Sequence, residues 1–131
     1  MMRPIAAELT EIDNRTSVGH SLWLTPRSGW EEQPEPGQFV MVSLPHPPTG
    51  FGQDVCDAVP MSVAGWEPRR LRLTVKNLGA TSAALLACKP GDLLAVTGPL
   101  GRGFSLKATQ PLLMGGGVGA PPLLFLAQRL A

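Results

Sequence analysis

The sequence predicts a mainly β protein: a small closed barrel of antiparallel strands broken by one short helix, followed by the opening unit of a parallel α/β domain. Three observations carry that expectation. Short apolar runs, some with a period of two, are bounded by breakers along most of the chain. Glycine (15) and proline (14) are both frequent, which favours turns and short strands over long helices. Residues 111–131 break the pattern with an apolar segment, a glycine-rich turn and an apolar helix.

The strands follow in order. Residues 4–13 (PIAAELTEID) and 18–25 (VGHSLWLT) read as two strands joined by a polar turn at Asn14 to Ser17; a helix remains an alternative for the first. Pro26 to Gly37 is loop. Within GQFVMVSLP, Phe39 to Val42 form an apolar β run bounded by breakers. Residues 45–57 are punctuated too often for regular structure, and a short strand follows at Val59 to Ala64. RRLRLTVKN alternates: Leu71, Leu73 and Val75 face one way, while Arg70, Arg72, Thr74 and Lys76 face the other. GATSAALLAC (79–88) reads as a short helix with hydroxyls at its start, KPGD as a turn and DLLAVTGP as another strand. PLLM would open the α/β unit, with its helix beginning near Pro121 and a domain boundary near Gln110. That divides the chain into a barrel (1–110) and an incomplete second domain (111–131). A doubly wound sheet needs more than one strand and one helix.

Composition narrows the function classes. A chain of 131 residues with 11 basic and 10 acidic side chains, net charge +1, has no electrostatic footprint for nucleic acid or an anionic membrane. Its apolar share of 44% is enough for a core. No stretch approaches the roughly 20 apolar residues of a membrane span, and MMRPIAAELTEID lacks the apolar centre of a signal peptide. A cytoplasmic protein is expected. Cys56 and Cys88, 32 positions apart without a CxxC pairing, read as separate free thiols, with a structural disulfide as the alternative.

Three motifs bear on chemistry. VPMSV (Val59 to Val63) lies on a strand after a long loop, where a serine is ordinarily a structural hydroxyl. In VKNLGATSAAL (Val75 to Leu85) a strand passes through Gly79 into a helix that begins with Thr81 and Ser82. Free N–H groups and the positive dipole end suit a phosphate there, and an ordinary capped helix would read the same way. MGGGVGAPP (Met114 to Pro122) permits a tight strand-to-helix turn against which a pyrophosphate can sit, although it is not a strict GxGxxG. His20 and His46 belong to no acid–nucleophile set, the three tryptophans read as packing residues, and Ser62 has no GxSxG setting.

Taken in order, PGQFVMV, PMSV, VKNLGATSAAL, KPGDLLAVTGPLGRGFSL and PLLMGGGVGAPPLLFLA resemble the ferredoxin–NADP reductase superfamily, in particular the dihydroorotate dehydrogenase electron-transfer subunit of pyrimidine biosynthesis. Gamma subunits of hydrogenase and sulfite reductase are related alternatives. The resemblance implies a six-stranded Greek-key barrel that binds FAD, followed by a nicotinamide-binding α/β domain that takes NAD(P)H. It implies that Pro60, Met61, Ser62 and Val63 lie along the flavin, continued by Val75 and Lys76. Gly79, Thr81 and Ser82 would hold the pyrophosphate. Gly98, Pro99 and Gly101 would form the turn between domains, and Gly115, Gly116, Gly117, Gly119 and Pro121 would meet the nicotinamide dinucleotide. The implied partner is a catalytic dehydrogenase subunit of the FMN type.

Two departures from the family stand out. Val59 occupies the place of an arginine that pairs with FAD phosphate, and no Lys or Arg occurs between Arg27 and Arg69. Lys76, Arg69 and Arg102 are the candidate substitutes. The cysteine cluster that binds a 2Fe-2S centre in relatives is absent from this chain, as is the remainder of the nicotinamide domain, so the chain alone should not oxidise NADH efficiently. Leu112, Leu113, Leu123, Leu124, Phe125 and Leu126 are then expected to form an exposed apolar patch or a self-associating tail. A flavin-free barrel acting as an interaction module is the rival reading from another class.

Overall fold

The computed structural model describes residues 3–14, 19–28, 30, 32–52, 57–107, 110–116 and 120–131. Six strands, β1 (Ile5–Asp13), β2 (His20–Pro26), β3 (Phe39–Ser43), β4 (Val59–Glu67), β5 (Arg70–Val75) and β6 (Leu93–Leu100), close in the order β1-β2-β5-β4-β3-β6. Every pair is antiparallel. β3, β4 and β5 follow one another as a meander. β6 returns beside β3 after a long connection through α1 (Ala80–Ala87), which is the Greek-key order.

Alternation explains the core. Leu9, Leu22, Leu24, Val40, Val42, Val63, Leu71, Leu73, Leu94 and Val96 are at most 1% exposed, so the inward face of every strand contributes. Each such side chain contributes about 1.5–3 kcal/mol through burial. Closure requires the strands to bend, and the ladder slips between Leu9 and Glu11, Phe39 and Met41, and Val63 and Gly65. Gly98 sits at one tight crossing: at φ +150, a Cβ there would meet Val40 Cγ1 at 2.8 Å.

The first segment is a strand, and the helical alternative fails because β2 and β6 both pair with it. β4 runs three residues beyond the expected Ala64, to Glu67, where it turns directly into β5. The strand expected at Pro111 to Met114 does not form. Residues 111–116 are irregular, and Leu112 (83%) and Met114 (81%) are exposed. A parallel strand takes its stability from ladder partners, and no described strand lies beside it.

The helix that follows, α2 (Ala120–Leu130), is present and packs on β4. The apolar-patch expectation is thereby corrected in part. Phe125 and Leu126 are buried against the barrel, whereas Leu124 stays half exposed. Arg129 secures the helix by donating to Glu35 at 2.7 Å. No described helix is long and apolar enough to cross a membrane.

Candidate functional site

One cavity of about 490 Å³ draws together residues far apart in the chain. Its floor is the first half of β4, where Val59, Pro60, Met61 and Ser62 follow one another opposite β3. In a pleated strand these side chains alternate, so the core takes up part of Val59 and Met61 while Pro60 and Ser62 are exposed. Thr74, Val75 and Lys76 at the end of β5 form one wall. The loop through Leu78 into the first turn of α1 forms the next, and Pro121 and Pro122 at the start of α2 close the remaining side.

Hydrogen bonds tie the α1 wall together. The Ser82 hydroxyl accepts from the Leu78 N–H at 2.9 Å and the Gly79 N–H at 3.0 Å, and donates to the Gly79 carbonyl at 3.0 Å. It thereby ties the loop to the helix. The first-turn amides of Ala80, Thr81 and Ser82 precede the first intrahelical donor, Ala83, and have no acceptor among the described residues. The Thr81 and Ser62 hydroxyls make no hydrogen bond among the described residues, and Lys76 is the only ionisable side chain among the described residues that line the cavity. Gly79 is extended, at φ −177, a conformation open to any residue, and a Cβ there would meet nothing within 4 Å. The protein does not need a glycine at that point for its own packing.

No family model matches the chain. It is 31% identical over 129 residues to a probable dihydroorotate dehydrogenase B (NAD(+)) electron transfer subunit of Methanopyrus kandleri, covering 98% of this chain and 45% of that protein. The dihydroorotate dehydrogenase B electron transfer subunit of Caldanaerobacter subterraneus is 35% identical over 100 residues, covering 76% and 38%. Among solved structures, an NADH-dependent reduced ferredoxin–NADP oxidoreductase aligns with a TM-score of 0.77 at 30% identity, covering 95% of this chain and 43% of its own. The chain is a homologue of these electron-transfer proteins, built on a ferredoxin–NADP reductase-type barrel. It spans less than half the length of each of them. An Amycolatopsis cytochrome P450 reductase shares the fold, with a TM-score of 0.78 at 23% identity over 98% of this chain and 39% of its own.

Within this reductase-type barrel, Pro60, Met61, Ser62, Val75, Lys76, Gly79, Thr81, Ser82 and Pro121 share the cavity. The other expected site residues do not line it. Val63 is fully buried in the barrel core. Gly98 is committed to its crossing with β3, and Gly101, at φ +80, lies against the Phe39 ring with its carbonyl accepting from Gln38 Nε2 at 2.9 Å. Gly115 and Gly116 are exposed in the segment before α2, while Gly117 and Gly119 lie outside the described residues. Of the three basic residues expected as substitutes for the family arginine, Lys76 lines the cavity, Arg69 is at the opposite end of the barrel and Arg102 is exposed outside the cavity.

Sequence reading missed Ala64, Thr74, Leu78, Ala80 and Pro122. Leu78 carried a signal, an apolar residue in a polar loop that is 74% exposed at the cavity rim. Cys88 is free and buried beneath α1; burial and then Asp92 push its thiol up to about 11. Cys56 lies outside the described residues.

Proposed function

We propose that this chain is the FAD-binding part of an electron-transfer subunit that passes electrons between NAD(P)H and an iron–sulfur or flavin partner. The convergence of the β4 Pro-Met-Ser segment, Lys76 and the amino end of α1 on one cavity carries the reading. The donor set fits FAD. The Thr81 hydroxyl and the free amides of α1 would hold the pyrophosphate, Gly79 would let it approach, and Lys76 would supply the countercharge that Val59 does not. Ser62, exposed and unbonded, would hydrogen-bond the ring system, with Pro60 and Met61 along its edge. Bound FAD supplies the exchange between hydride and single-electron chemistry, while the protein orients and insulates.

Residues 1–110 form the flavin module in this reading, and 111–131 open the nicotinamide-binding region, where Gly115, Gly116, Gly117, Gly119 and Pro121 would meet the dinucleotide. The names of the relatives support a catalytic dihydroorotate dehydrogenase subunit as partner.

Titration of the purified chain with FAD, followed by flavin fluorescence and visible absorbance, tests the site. Saturable binding that is abolished in Ser62→Ala/Thr81→Ala is the expected result. Lys76→Ala should weaken binding by about tenfold, the worth of one charge-assisted hydrogen bond. No binding at tens of micromolar FAD would put the flavin-free interaction barrel in first place.

A further inference from the structure

We propose that the barrel carries a second small-molecule site at its other end, and that this site takes a flat aromatic carboxylate. A cavity of about 590 Å³ opens where the end of β2 (Thr25, Pro26) and the segment after it (Arg27, Trp30) meet the turn of the β4–β5 hairpin (Trp66, Arg69). It shares no residue with the first cavity, which uses the opposite ends of β4 and β5, so this proposal is independent of the flavin reading.

Two indoles give the site its shape. Trp30 and Trp66 stand edge to face, with ring centroids 6.3 Å apart and planes at 74°, and both pack against the barrel core. They present rigid aromatic surface with little conformational freedom to lose.

Two guanidinium groups give it charge. Among the described residues the Arg27 guanidinium has only a 4.0 Å contact with Glu8, both side chains being well exposed. Arg69 has no ion pair or hydrogen bond among the described residues, because the acid of its own hairpin, Glu67, is taken by Arg70 at 2.9 Å. No described acidic residue lines the cavity. A guanidinium fork matches a carboxylate in two parallel hydrogen bonds, and indoles recognise the ring that bears it.

The backbone marks Arg69 separately. Glu67 pairs with Arg70 across a two-residue turn, Pro68–Arg69, and Arg69 has φ +71. Proline followed by a left-handed residue is a turn in which glycine or asparagine sits without strain. An arginine held there is costly to the fold, and such positions cluster at ligand sites. Here the strain delivers a cation to the rim of an aromatic cavity.

The test is a titration of the ¹⁵N-labelled full chain with benzoate, following the indole N–H resonances of its three tryptophans. The Trp30 and Trp66 signals should shift together and saturate, while that of Trp23 stays in place. Arg69→Gly should weaken the apparent affinity by about tenfold. That variant relieves the left-handed strain and folds at least as well, so its loss of binding would not be a loss of structure. Arg27→Gln/Arg69→Gly should abolish the response, and cyclohexanecarboxylate and inorganic phosphate should bind far more weakly than benzoate. The proposal is overturned by the absence of a saturable shift, by an equal response to phosphate or to the non-aromatic acid, or by wild-type affinity in Arg69→Gly.

Discussion

The two ends of the β4–β5 hairpin are built from the same pair of strands and do opposite things. At one end β5 runs through a glycine into a helix, and the surface offers amides and two hydroxyls without partners among the described residues, together with Lys76. At the other the strands are joined by a two-residue turn, and the surface offers two indoles and two guanidinium groups. Between them lies a belt of Val63, Leu71 and Leu73, each at most 1% exposed. Stability resides in the belt, where both faces of the ladder are satisfied. Recognition resides at the rims, where the ladder ends and polar groups are left for something else.

The largest test breaks what the two ends share. Leu73 pairs with Leu22 on β2 and Val63 on β4. Leu73→Ala should therefore cost about 2–5 kcal/mol in urea unfolding and weaken both cavities together. A loss confined to one end would show that the belt does not couple them.

Effects particular to the helical end come next. Removing the Ser82 hydroxyl, which two amides share, should cost about 1–2 kcal/mol and lower FAD affinity through the loosened loop. Thr81→Ala should lower FAD affinity with stability unchanged to about 0.5 kcal/mol, since its hydroxyl has no partner among the described residues. Equal destabilisation by the two variants would contradict the division between a residue that holds the loop and one that holds the ligand.

The helical end should also carry a pH dependence. Burial raises the Cys88 thiol from 9.0 to about 11, so above pH 9 the unfolded chain ionises while the folded chain keeps its proton. This contribution is fully present below pH 9 and is lost as pH rises to about 11, amounting to about 3 kcal/mol at most. Cys88→Ala should flatten that part of the stability profile; an unchanged slope would place the titration elsewhere. The smallest effect has the opposite sign and belongs to the far end. Arg69→Gly should stabilise the fold by about 0.5–1 kcal/mol by removing a left-handed side chain, which thermal unfolding resolves.

Period-two alternation is a local property, and each strand had to bury its apolar face somewhere. For that reason the strands at Phe39 and Arg70, the helix after Gly79 and the barrel class were all legible in the chain itself. The ordered motifs likewise pointed to the reductase family and to the Pro60–Ser62 and Gly79–Ser82 segments. Closure decided the rest. It brought Pro121 and Pro122 to the cavity that Val59 lines, and Trp30 against Trp66, groupings of residues whose separation in sequence carries no periodic signal. It withheld a strand from Leu112 to Met114, because an apolar run becomes a strand only beside a partner that accepts its hydrogen bonds. It left Phe125 and Leu126 to β4 instead of to solvent. Alternation sets which face each element hides, but only the closed barrel determines which residues meet at its rims, because those contacts depend on strand order and register together.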